Sequence, residues 1–346
     1  MNEIRNKRNV SHTKKQPQNR PMNNTRYRQS TTPRKKYKGN KKKGLKKVLI
    51  CIAFVFIFLI TFFIIRMCEN GWTYGGLLAT MLGHNKDTVN HLDTVYVVVT
   101  GESQNLTDTI MICAFDPKQS KLTMMSVPRD TYTGKNKNKA TASDKINTLY
   151  NKGPQTLINK LNDITGLNLK NYINVDTKGL RELVDAVDGI YYDVPINMDY
   201  DDETQDLHIH LKAGYQLLNG DKAEQLVRFR HNNDGTSYPA SYGDNDLGRM
   251  RTQREFLKEL LKQIKKKHLI INLSKYMNIA KRNVETNLDI DEMKHYLPYL
   301  IDFNLEDLES TSLPGSPEKC NGVWLFIPDK KEVKDVVDEK FLSLHY

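Results

Sequence analysis

The stretch VLICIAFVFIFLITFFII, residues 48–65, holds eighteen residues without a charge, a proline or a glycine. As a helix rising about 1.5 Å per residue it covers roughly 27 Å, close to the hydrocarbon thickness of a bilayer. A core helix of this length would carry a polar stripe, and here only Thr61 interrupts the apolar surface. A signal peptide has a short basic region, an apolar region of about 7–15 residues and small residues after it. In this chain 47 residues come first and RMCENGW follows. The segment is therefore predicted as an uncleaved transmembrane helix over 48–66, which divides the chain into two unequal parts.

Charge separates those parts. Residues 1–47 contain 17 Lys/Arg against one acid, Glu3, a net +16, while the whole chain carries +11, so the remainder is at −5. The excess on the N-terminal side predicts that tail in the cytoplasm of a single-pass cell-membrane protein and residues 67–346 outside. The tail has three prolines and few apolar residues. It cannot offset its chain entropy by burial and reads as disordered. A topology signal that also attracts anionic membrane lipid explains its charge; it has no folded motif for reading bases, and no nucleic-acid partner is expected. The four cysteines (51, 68, 113 and 320) have no metal-ligand spacing, and no disulfide is required of them.

Residues 67–91 read as a juxtamembrane linker and 92–346 as one extracellular catalytic domain. DTVYVVVTG, DTIMICAFD and KLTMMSVP are short β-branched runs of buried-strand type. PQTLINKLNDIT opens on a helix-initiating proline, and KGLRELVDAVDG ends on a capping glycine. LHIHLKAGYQLLNGDKAEQLVRFR reads in order as a strand, a Gly-marked turn, a short helix and an exit strand, and Arg249 to about Lys267 as a long amphipathic helix. VWLFIP is a late strand before a final helix from Asp329. Strands alternating with helices predict an α/β fold, a mixed central sheet sandwiched by helices.

Arginines at the ends of several elements carry the chemistry. If LVRFR ends in a strand, Arg228 and Arg230 share a face. Arg249 and Gln253, four apart on a helix, share another. Arg129 in SVPRD follows a strand end, where α/β folds collect ligands. Each alone could be a surface ion pair. Together these guanidinium forks suit the oxygens of a phosphate or pyrophosphate. Glu102 after the first strand and Asp108 at the start of the second could hold Mg²⁺, which takes few carboxylates plus phosphate oxygens; a capping aspartate and a solvated turn glutamate explain them equally well. His208 and His210 alternate on a strand with no third ligand beside them in the sequence, and read as surface residues. The nucleophile elbow G-x-S-x-G is absent, so serine hydrolysis has no support.

LTDTIMICAFDPKQSKLTMMSVPRDTY, DKINTLYNKGPQTLINKL, LKAGYQLLNGDKAEQLVRFR and DNDLGRMRTQREFLKELL resemble, in order, the blocks of the LytR-CpsA-Psr family from about residue 92 to 268. The resemblance implies a phosphotransferase of Gram-positive-type cell walls that moves a glycopolymer, such as a teichoic acid or capsule, from a polyprenyl-pyrophosphate carrier onto a peptidoglycan hydroxyl as a phosphodiester. It implies catalytic roles for Asp108, Arg129, Arg228 and Arg230. It places Arg129, Arg228, Arg230, Arg249 and Gln253 on the pyrophosphate, and Asp108 with Glu102 on Mg²⁺. Asp130 and Asp108 are candidates for the general base. The chain departs from the family where G-x-D-S-R becomes TGESQ: Glu102 stands for the aspartate, Gln104 for the arginine, and Leu106 for a frequent arginine. Two other functions compete. A hydrolase would pass the phosphoryl group to water, and a non-catalytic membrane regulator would act through its basic tail.

Overall fold

The computed structural model describes residues 41–103, 106–243, 245–266 and 269–343. The expected disordered tail lies mostly outside them, as does Gln104. Helix α1 (Lys41–Asn70) contains the segment Val48–Asn70, mean hydropathy 3.4, the one helix among the described residues long and apolar enough to cross a membrane. It starts seven residues inside the expected tail and runs past residue 66.

The stretch expected as a linker is partly folded. Helix α2 (Tyr74–Met81) is capped by Thr73, whose hydroxyl accepts from the Gly76 amide. A Cβ on Gly75 would lie 2.2 Å from the Pro298 carbonyl oxygen, so glycine permits this close packing.

Strands β1 (Val95–Ser103), β2 (Leu106–Asp116) and β3 (Lys121–Ser126) form an antiparallel meander. Helix α3 (Pro154–Thr165) then leads to β4 (Asn171–Asp176), which returns parallel to β1. Helix α4 (Thr177–Ala186) follows directly. The next strands, β5 (Ile190–Val194), β6 (Met198–Asp202), β7 (Leu207–Leu211) and β8 (Gly214–Leu218), pair as β5–β8 and β6–β7 outside the main sheet. They lead into α5 (Gly220–Arg228), the long α6 (Asn245–Lys266) and α7 (Leu269–Asn283).

After β9 (Val284–Thr286), α8 (Ile290–Met293) and α9 (Leu297–Asp302) come β10 (Glu309–Ser312), β11 (Gly315–Cys320), β12 (Val323–Pro328) and α10 (Lys330–Val337). The six-stranded sheet runs β10-β3-β2-β1-β4-β9 and mixes parallel with antiparallel neighbours, as the sequence predicts.

Period-two alternation sends the strands' side chains to two layers. Val98, Ile110, Ile112 and Ala114 join Leu157, Leu161 and Val333 in a core under α3 and α10. Their neighbours Val99, Thr109 and Met111 face the other way, toward α4 and α6. A second core under those helices is built from Val184, Leu226, Phe229, Phe256 and Leu260 with the inner faces of β5–β8. Arg254 ties α6 to the sheet, its Nη1 donating to the hydroxyls of Ser126 and Ser312 at 3.1 Å each. Cys113 and Cys320 are free thiols.

Two sequence expectations need correction. GYQLL is a strand, β8, rather than part of a turn. LVR finishes α5, and Phe229 turns the chain out of the helix with φ −62° and ψ 133°. Ala223 and Leu226, three apart, are fully buried, so the helical period continues through LVR and the strand reading fails there.

Candidate active site

The arginines come from four places. Arg129 lies three residues beyond β3, Arg228 ends α5, Arg230 follows in extended chain, and Arg249 sits in the second turn of α6. All four line one cavity of about 160 Å³, together with Asp108, Tyr200, Gln205, Leu207 and His231. The strand argument for Arg228 and Arg230 fails, yet the helix end followed by two residues of extended chain delivers both to the same place. Arg230 is anchored through its own carbonyl, which accepts from Ser237 Oγ. The loop after it packs back, with Tyr238 buried edge-on against Phe229.

The cations are only partly answered. Arg129 Nη1 donates to Asp108 Oδ1 at 2.7 Å. Arg228 donates to Glu224 Oε1 at 3.1 Å and to Gln205 Oε1 at 3.4 Å. Asp246 stands between Arg249, which donates to it, and Arg129 Nε, 3.6 Å away; at that distance the pair is ionic without a hydrogen bond. The Nε atoms of Arg129, Arg230 and Arg249 are buried without hydrogen-bond partners. Buried N–H groups are normally paired, so these three unpaired donors, on arginines that line one cavity, leave its positive charge incompletely satisfied. Burial works against the charge of Arg129, but Asp246 and Asp108 outweigh it and its pKa stands above the ordinary value. Arg249 is 3% exposed. Burial lowers its pKa, Asp246 opposes that, and Arg129 adds repulsion.

A second cavity of about 210 Å³ adjoins the first, sharing Asp108 and Arg228. Val99, Met111, Val175, Leu180, Leu183 and Leu257 are among its walls. It lies between the sheet and helices α4 and α6, whereas α3 packs on the opposite layer. Glu102 also lines it, one carboxylate oxygen accepting from Asn174 Nδ2 at 2.9 Å. The β1–β2 register shifts between Gly101, which faces Thr109, and Glu102, which faces Thr107, so the extra residue is Asp108 of β2; a bulge there locally re-aims the chain.

Gln253 lines this apolar cavity and not the arginine-rich one. Its Nε2 donates to the Val227 carbonyl at 2.9 Å, which fixes the end of α5 where Arg228 stands. Asp130 pairs with Lys145 at 2.9 Å. With Arg230, Asp246 and the exposed Trp324 it lines a third cavity, of about 420 Å³. Asp246 was not singled out by sequence reasoning; the signal was its place three residues before Arg249, one helical turn away.

Comparison with known proteins finds relatives both in sequence and in fold. The model of the LytR_cpsA_psr family matches residues 83–341. The polyisoprenyl-teichoic acid–peptidoglycan teichoic acid transferase TagU of Bacillus anthracis is 30% identical over 239 residues, covering 66% of this chain and 71% of that protein. The corresponding transferase TagV of Bacillus subtilis is 27% identical over 233 residues, covering 66% and 57%. The crystal structure of B. subtilis TagV superposes with TM-score 0.60 at 24% identity, over 73% of this chain and 98% of that one. A structure of TagT bound to LI-WTA superposes at 0.55 and 17% identity, over 73% and 92%. At these identities the two superpositions establish a common fold.

Proposed function

The chain belongs to the LytR_cpsA_psr family, and on that premise we propose that it is a membrane-anchored glycopolymer–peptidoglycan phosphotransferase. Its donor is a polyprenyl-pyrophosphate-linked glycan of the teichoic acid class, its acceptor a peptidoglycan hydroxyl and its product a phosphodiester. One observation carries the reading: the four-arginine cavity shares two wall residues, Asp108 and Arg228, with an apolar one. A charged head joined to a hydrocarbon tail is the ligand that such a pair of cavities complements.

In the reaction the acceptor oxygen attacks the phosphorus bonded to the glycan. The bond from that phosphorus to the bridging oxygen breaks, polyprenyl phosphate leaves, and the hydroxyl proton passes to a base. Catalysis of this kind is mostly positioning and charge stabilisation. Arg129, Arg228, Arg230 and Arg249 hold the pyrophosphate oxygens and balance their charge. Gln253 and Asp246 act through these arginines as positioning residues. With the lipid on the side of α4 and α6, the acceptor enters from the cavity of Arg230 and Trp324. Asp130, which lines that cavity and pairs with Lys145, is the candidate base on the acceptor side, with Asp108 as the alternative.

The donor set fits Mg²⁺. Asp108 gives one oxygen to Arg129 and Glu102 one to Asn174, and their other oxygens are hard ligands beside a phosphate site. Bound there, Mg²⁺ would neutralise developing charge on the phosphate oxygens. Glu102 would hold the ion on a longer arm than the aspartate usual in the family.

The apolar segment 48–70 and the +16 tail before it support a single-pass anchor with its N-terminus in the cytoplasm and the arginine site outside, beside a donor confined to the same membrane. Purified protein given a synthetic lipid-linked sugar should release polyprenyl phosphate only when a peptidoglycan oligosaccharide is present. Release at the same rate without acceptor would instead favour a hydrolase.

A further inference from the structure

The β6–β7 hairpin presents two different faces. Met198, Ile209 and Leu211 point inward and are at most 2% exposed. Asp199, Asp201, His208 and His210 point outward together, because the register pairs Asp199 with His210 and Asp201 with His208. The D-x-D of one strand therefore meets the H-x-H of the next, and the ligand missing from the sequence around His208 and His210 is supplied across the ladder. One ligand atom from each of Asp201, His208 and His210 lies within 4.8 Å of the others. His208 Nδ1 is 2.6 Å from Asp201 Oδ1, and His210 Nε2 is 3.3 Å from the same oxygen.

Two features separate this group from ordinary surface ion pairs. Asp199 Oδ1 sits 2.8 Å from His210 Nδ1, on the far side of the ring from Asp201. A carboxylate behind an imidazole fixes which nitrogen faces a metal and raises its basicity. The backbone is also held from behind. The amides of Asp199, Asp201 and His210 donate to the side chains of Asn232, Asn233 and Gln225 respectively, at 2.7, 3.3 and 3.0 Å. The platform is thus set before any ion arrives, by the same segment, 225–233, that carries Arg228 and Arg230.

We propose that the outer face of this hairpin is a binding site for a borderline divalent transition metal of the zinc class, with Asp201, His208 and His210 as ligands and Asp199 as the residue that orients His210. Two imidazoles and one carboxylate favour Zn²⁺ or Co²⁺ over Mg²⁺ or Ca²⁺, which take oxygen ligands. Three protein ligands leave a coordination position to water. The inner face of the hairpin and its turn supply Tyr200, Gln205 and Leu207 to the wall of the arginine cavity. A metal that clips β6 to β7 stiffens that wall from outside. The site stands on its own geometry and does not depend on the transferase reading.

The test uses the full chain, purified without a histidine tag and stripped with chelator. Co²⁺ is titrated by visible absorption, and Zn²⁺ by calorimetry and thermal melting. One equivalent should bind, with ligand-field bands for Co²⁺ and a higher Tm with Zn²⁺, while Mg²⁺ at the same concentration leaves Tm unchanged. His208→Ala and His210→Ala should each weaken Zn²⁺ binding at least tenfold and abolish the shift in Tm. Asp199→Asn should weaken it by roughly tenfold, as expected of an orienting partner. All three side chains are exposed, so the variants should fold, and circular dichroism of the metal-free proteins checks this. Lack of saturable binding, or equal binding by the double variant His208→Ala/His210→Ala, would overturn the proposal.

Discussion

Arg129 Nη1 donates to Asp108 Oδ1 across 2.7 Å, at the point where the arginine-lined cavity meets the apolar one. The side chains are 20% and 27% exposed, so the pair is half shielded and its two charges restrain each other. In the proposed reaction a pyrophosphate would compete with Asp108 for Arg129, and Asp108, if it held Mg²⁺, would be drawn away from that competition. Replacing Asp108 with Asn should therefore abolish transfer while Tm changes by only a few degrees. It should also remove any dependence of donor affinity on Mg²⁺. Retention of that dependence would place the ion elsewhere.

Arg249 and Arg251, two residues apart on α6, have opposite fates. Arg249 is buried at the site, whereas Arg251 donates to Glu255 at 2.8 Å and lies 4.3 Å over the Tyr242 ring. A step of two residues turns about 200° around a helix, so this separation follows from the helix phase. Substitution by Ala at Arg228, Arg230 or Arg249 should each cost about 2–4 kcal/mol in kcat/KM, the range for removal of a charge-stabilising donor. Arg251→Ala should fall within experimental error. Arg230→Lys should recover only part of the loss, because an ammonium cannot make the parallel contacts of a guanidinium.

Asp246 answers the burial of Arg249 and lies beside Arg129. Removing it alone strands a buried charge, which costs about 3 kcal/mol. Asp246→Asn should accordingly lower Tm, and adding Arg249→Met should restore most of the loss. A double variant as unstable as the sum of its parts would mean that the two residues act independently.

His84 and His295 stack with ring centroids 5.1 Å apart, joined by a 2.8 Å contact between Nε2 of His84 and Nδ1 of His295. The pair sits at the end of the packing of α2 on α9. Burial, reinforced by His295, lowers the pKa of His84. The folded state then binds a proton less readily than the unfolded one. The contribution to stability is complete above the unfolded value of about 6.5 and declines as pH falls below it. Amide exchange in α2 should speed up between about pH 7.5 and 5.5 relative to α6, and His295→Phe should flatten that response. Exchange in α2 that is indifferent to pH would disconnect the histidines from its docking.

Much of this was legible in the chain. The apolar run and the mixed sheet rest on local patterns of hydropathy and period and appear where those patterns put them, whereas the arginines of RFR reach the cavity by a helix end and not by the shared strand face that their spacing suggests. What was not legible depends on partners distant in sequence. The helical end of α5 is decided by burial of Ala223 and Leu226 under the second core, which carries the helix on through Arg228. Gln253 shares the helix face of Arg249, but proximity to the Val227 carbonyl directs its amide to α5. The packing of α2 comes from Gly75 meeting Pro298, more than two hundred residues away. His208 and His210 gain a carboxylate only through strand register, which no spacing within LHIHL reveals.

The most direct test of the central claim is the linkage formed by the full chain reconstituted in vesicles with a polyprenyl-pyrophosphate-linked disaccharide and a peptidoglycan oligosaccharide. Mass spectrometry should find one disaccharide phosphate added to the oligosaccharide for each polyprenyl monophosphate released, with both products lost together in Arg230→Ala. Release of free disaccharide phosphate with no adduct, or an adduct that still forms at the wild-type rate in Arg230→Ala, would contradict the account.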